Sequence, residues 1–177
     1  MKLLRTIRLD PSDTFVFERA AEQGEWAVTG SFMFWDQDLA NLEAKARVAF
    51  RSGFLGIETL GWSTLVQIVE AGDQQRDAAV QTLARHLVEK FGAPSMTEAT
   101  VAASEEFIFA ASLCDHPLDT LIALHRVSEG GEIRETFRTL RPREGGNKSF
   151  RAFSFLDVED APEEHVDLAA LGREAKP

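Results

Sequence analysis

The chain has 177 residues, 44% of them hydrophobic and 27% charged, with one Cys and a formal net charge of −10. A chain of this length buries roughly 70% of its unfolded surface without a staple, and a single Cys excludes an internal disulfide framework and an all-Cys metal site. The acidic balance repels phosphate backbones and argues against a dedicated nucleic-acid binder.

Taken in chain order, residues 2–9 alternate, with Leu3, Ile7 and Leu9 opposed to Lys2 and Arg8, which predicts a half-buried strand. Residues 15–19 and 26–35 read as the next two strands, joined through Gln23-Gly24. Asp38 is placed to cap a helix over 39–52, where Leu39, Leu42, Ala46, Ala49 and Phe50 recur at helical spacing before Gly53. Residues 62–70 are strand-forming, through Leu65, Val66, Ile68 and Val69. Gly72-Asp73 opens a second helix reaching Phe91, with Val80, Leu83, Ala84, Leu87, Val88 and Phe91 as its buried stripe. Ser95 and Glu98 form a capping-box pattern for a short helix ending near Ala103. Residues 106–113 read as a strand, and 121–127 with 132–141 as a hairpin across Gly130-Gly131. A further strand is expected over 149–157, and a short helix from Pro162 to about Leu171.

The chain also echoes itself. Leu9-Asp10-Pro11-Ser12-Asp13-Thr14 returns as Leu113-Cys114-Asp115-His116-Pro117-Leu118-Asp119-Thr120, each followed by an apolar run, an Arg and a Glu-and-Gly turn. Either one hairpin unit is used twice, in halves 1–92 and 93–160, or both segments share the turn chemistry of Asp-Pro and Gly. Runs of strands with helices between them predict an α+β fold. The expectation is one domain over 1–160, mostly antiparallel, built from two similar hairpin units with two to three packed amphipathic helices. Residues 161–177 then form an acidic C-terminal tail or the short helix.

Thirteen Phe and three Trp stand beside no Tyr, so no phenol is available as acid, nucleophile or phosphoacceptor. The aromatic surplus serves either the core or an apolar homodimer interface. Charge is uneven. Residues 126–151 hold seven basic and four acidic groups, whereas 157–177 hold seven acids and two bases. On a strand, Arg134, Thr136 and Arg138 share one face, as do Thr6 and Arg8 on the first strand. If those strands are neighbours, Arg8, Arg134, Thr136 and Arg138 form a cationic, hydroxyl-bearing surface for a carboxylate or phosphate.

The densest reactive group is Cys114-Asp115-His116, with His125 nearby in sequence. A thiolate, a carboxylate and an imidazole would suit a metal or a Cys–His nucleophile pair. No second Cys or clustered His completes a ligand set, so no metal and no cofactor is expected. The plainer reading is a turn at Asp115-His116-Pro117 with Cys114 as a small buried hydrophobe. Gly61-Trp62-Ser63-Thr64-Leu65 lacks the last Gly of a nucleophile elbow. Residues 148–155 lack the Gly and one stacking aromatic of an RNA-binding strand.

The segments Leu3-Leu4-Arg5-Thr6-Ile7-Arg8-Leu9-Asp10, Gly61-Trp62-Ser63-Thr64 and Ala111-Ser112-Leu113-Cys114-Asp115-His116-Pro117 resemble a family of short, uncharacterised bacterial proteins. The resemblance implies a small stand-alone protein and no catalytic residue, cofactor or substrate. The charged start, the lack of a long apolar run and the single Cys make a cytoplasmic location the expectation, without membrane or nucleic-acid partners. The function expected is a non-enzymatic accessory or binding protein, homodimeric, offering a mixed sheet surface to a protein partner or small anionic ligand. The alternative is a metal-binding or Cys/His-dependent enzyme built on residues 114–116.

Overall fold

The computed structural model describes residues 1–141, 158–160 and 164–167. In chain order the strands are β1 (Lys2–Ile7), β2 (Trp26–Val28), β3 (Phe54–Gly56), β4 (Trp62–Ser63), β5 (Leu65–Glu70), β6 (Leu121–Glu129), β7 (Glu132–Leu140), β8 (Val158–Asp160) and β9 (Glu164–Asp167). The helices are α1 (Asp13–Val16), α2 (Ala44–Ser52), α3 (Asp73–Phe91) and α4 (Met96–Ser112), with 3-10 turns at Ser31–Phe34 and Leu39–Asn41. All strands join one antiparallel sheet in the order β4-β3-β2-β1-β5-β6-β7-β8, and β9 also pairs with β7. The fold is α+β.

Several strands expected from alternation are broken by local chemistry. Residues 15–19 are not a strand, because buried Asp13 accepts from Thr64 N at 3.1 Å and Thr64 Oγ1 at 2.5 Å, and this holds 13–16 as a helical turn. The same bonds take Thr64 out of the strand expected over 62–70, which splits into β4 and β5. The strand expected over 26–35 stops at Val28. Gly30 then turns at φ +79°, a conformation that favours glycine. The 3-10 turn after it places Phe34 against Trp62, with ring centroids 5.2 Å apart. The helix expected over 39–52 is likewise two pieces. Asp38 caps only the 3-10 turn, accepting from Ala40 N at 3.2 Å, and α2 starts at Ala44.

α3 follows its apolar stripe and stops at Gly92, with φ +72°. Ser95 caps α4 as expected, its hydroxyl accepting from Glu98 N at 3.2 Å. The strand expected over 106–113 is a correction, since α4 runs on to Ser112. Its buried residues Ala99, Ala103, Phe107 and Ala110 keep helical spacing, and neither Gly nor Pro interrupts them. Alternation of Phe107, Phe109 and Ala111 mimics a strand over too short a window. β6 and β7 form the expected hairpin, in register from Leu121↔Leu140 to Glu129↔Glu132, with Gly130 and Gly131 at positive φ.

The strand expected over 149–157 lies outside the described residues. Within the stretch expected as helix from Pro162, Glu164–Asp167 is extended as β9, taking up the open edge of β7. The echoed segments differ in local structure at two places. Residues 15–16 end the helical turn α1 where 121–122 begin β6, and 2–7 extend where 106–112 coil.

Aromatic bulk goes mostly inward. Phe17, Phe34, Phe50, Phe54, Phe107, Phe137, Trp26 and Trp62 are buried. The Gly61–Thr64 segment is part of this packing. A Cβ on Gly61 would fall 2.6 Å from the Ala20 carbonyl, so the chain passes there only without a side chain. Among the described residues no helix is long and apolar enough to cross a membrane.

Candidate binding face

β7 alternates strictly. Ile133, Glu135, Phe137 and Thr139 point into the core, so Arg134, Thr136 and Arg138 share the outer face. β6 adds to that face. Its register sets exposed His125 opposite Thr136, with Val127 opposite Arg134 and Ala123 opposite Arg138. Directly opposed residues keep their Cβ atoms about 4.5–5.5 Å apart, so His125 is a neighbour of this row. Arg134 Nε is buried and has no hydrogen-bond partner, whereas Nη1, on a side chain 42% exposed, stands 3.6 Å from Glu129 Oε2. On the far edge of β7, His165 lies opposite Arg134 and Asp160 opposite Arg138 in register.

Arg8 does not belong to this face. β5 and β6 separate β1 from β7, and the Arg8 guanidinium donates to Ala21 O at 2.6 Å. Thr6 is buried and donates to Glu22 O at 2.6 Å. The neighbouring strands supposed for the cationic surface are therefore corrected to β6 and β7.

Cys114, Asp115, His116 and His125 are not gathered either. Cys114 is buried below the end of α4 and donates to Ala110 O at 3.4 Å. Burial pushes its thiol up to about 12, although Lys2 pulls the other way. Asp115 is exposed, and His116 sits in the turn between Lys2, whose Nζ donates to its carbonyl at 2.6 Å, and Arg141, whose Nη2 is 3.4 Å from its Nδ1. His125 is on the outer sheet face. No group of three His, Cys, Asp or Glu able to hold a metal occurs among the described residues.

The thiol gives a clear expectation. Cys114 resists alkylating reagents in the folded chain at neutral pH and reacts on unfolding, which mass spectrometry reads directly. The unfolded thiol loses its proton near 9.0 and the folded one near 12, so the folded state loses stability as pH rises through that interval. Cys114→Ala is expected to remove this part of the alkaline loss, measured as unfolding midpoint against pH.

The site that sequence reasoning missed lies on the inner face of the same hairpin. Arg126 and Glu135, cross-strand partners, are both buried and paired, with Nε to Oε1 at 2.7 Å. Arg126 also donates from Nε to Ser31 Oγ at 2.9 Å, from Nη1 to Phe50 O at 3.0 Å and Gly53 O at 2.9 Å, and from Nη2 to Thr29 O. Ser31 Oγ donates to Glu135 Oε1, and Glu135 Oε2 has no partner. One guanidinium thus ties β6 to the loop after β2 and to the end of α2. Both residues are closed off from solvent, so the cluster fastens the fold and offers nothing to a ligand.

A model of the family of unknown function DUF6505 matches residues 1–158. The chain belongs to this family. The DUF6505 match spans β1 through the whole β6–β7 hairpin, and so contains both the outer face and the buried ion pair. No curated protein and no solved structure matches the DUF6505 chain.

Proposed function

We propose that this DUF6505 protein is a non-enzymatic binding protein that docks an acidic segment of a partner on the outer face of β6 and β7. The observation that carries the proposal is the row of His125, Arg134 and Thr136 on one face of the β6–β7 pair, with the Arg134 side chain 42% exposed. In a chain of net charge −10 such a row is selective for anions where it stands. An Arg fork and a hydroxyl match a carboxylate. A sheet face suits a protein segment better than a small molecule, because small ligands need concave sites. The lone buried thiol fits a reducing compartment, and the reading places the protein in the cytoplasm.

The test is titration of the full chain with a hexaglutamate peptide, followed by backbone amide NMR shifts. Shifts are expected at 123–127 and 134–138, fading as salt rises. Arg134→Ala is expected to weaken the interaction about fivefold, the scale of an exposed charge contact. Shifts spread evenly over the surface, or unchanged in Arg134→Ala and His125→Ala, would remove this face from the reading.

A further inference from the structure

We propose that the chain forms a homodimer through antiparallel pairing of α4 with the α4 of a second copy. The proposal stands apart from the sheet face and its ligand. α4 turns Ala99, Ala103, Phe107 and Ala110 to the core. An adjoining stripe, Val101, Ser104, Ile108 and Ala111, looks outward, with Val101 56% and Ile108 69% exposed. Its alternating steps of three and four residues are those of a coiled-coil seam.

The stripe is complementary to itself. Side chains along it run large, small, large, small. A dyad crossing the helix at Glu106 sets Val101 on the second copy's Ala111 and Ser104 on its Ile108. Each large residue then meets a small one, and the relation holds in both directions, as an isologous contact requires. Ser104 already donates to Thr100 O at 2.7 Å, so covering it with Ile strands no donor. Ser104, Ile108 and Ala111 of the stripe also line a cavity of about 470 Å³ between α3 and α4, whose wall includes Leu3, Val80 and Phe107 together with the Arg76–Asp77 ion pair. Glu105, next to the dyad, comes onto the same flank as its own copy. That like-charge pair is screened by salt, so association tightens as salt rises, the opposite of a charge-driven contact.

Sedimentation of the full chain is expected to give twice the 19.6 kDa chain mass. Ile108→Glu and Val101→Glu each return it to the single-chain mass, and the exposure of both positions leaves the circular dichroism spectrum unchanged. The register has its own test. Val101→Cys with Ala111→Cys is expected to give a covalent dimer on mild oxidation. Val101→Cys alone gives none, because its two copies stand about 15 Å apart along the axis. A single-chain mass at millimolar concentration would assign the stripe to a different protein and overturn the proposal. So would a dimer indifferent to Ile108→Glu, or cross-linking by Val101→Cys alone.

Discussion

Replacing Arg126 with Ala is expected to destabilise the fold by ~3–5 kcal/mol, read as a lower midpoint in urea unfolding. The cost comes from what is left behind. Glu135 remains buried without its counter-charge, and the carbonyls of Thr29, Phe50 and Gly53 lose a donor in a place water does not reach. Against the ~5–15 kcal/mol of a typical domain, that is a large fraction. The sharper version replaces both partners. Arg126→Met with Glu135→Leu removes the ion pair without stranding a charge, and is expected to recover most of the loss. If Arg126→Ala alone unfolds at the wild-type midpoint, the guanidinium is not the tie that joins β6 to the loop after β2.

Phe137→Ala is expected to cost a similar ~3–5 kcal/mol, as large-to-small changes at fully buried aromatics do. Phe137 is wholly buried on the inner face of β7. Its ring centroid lies 5.8 Å from that of Phe109 on α4 and 6.3 Å from that of Phe54 on β3. Removing it opens a cavity at the junction of hairpin, helix and the distant side of the sheet. Phe15→Ala is the control. Phe15 is 72% exposed, and its loss is expected to change stability by less than about 0.5 kcal/mol. Equal effects at both positions, in matched unfolding curves, would contradict this placement of the core.

The long periodic segments were legible in the chain itself. α3 has a complete apolar stripe and a Gly stop, and the β6–β7 hairpin has strict alternation around Gly130-Gly131. The short elements were not, because side chains remote in sequence decide them. Asp13 coils its own segment by binding Thr64, and Gly30 ends β2 so that Phe34 reaches Trp62. Over 107–111 a two-residue alternation of Phe and Ala imitates a strand, although α4 runs through it to Ser112.

For the candidate face, alternation alone puts Arg134, Thr136 and Arg138 on one side of β7, and that is the side they share in the structure. The same parity rule held the overlooked signal. Glu135 falls among Ile133, Phe137 and Thr139, and Arg126 among Ile122 and Leu124, so each is a charge at a core position. Two opposite charges at core parity on adjoining strands are the mark of a buried pair. Local sequence determined which residues extend, which coil over long stretches and which face each side chain takes, because φ/ψ preference and hydrophobic period act within a few residues. Strand order was decided only in three dimensions. β5 and β6 came between β1 and β7, parting Arg8 from Arg134, and His125 arrived beside Thr136, since pairing across a sheet depends on contacts between segments that no local pattern encodes.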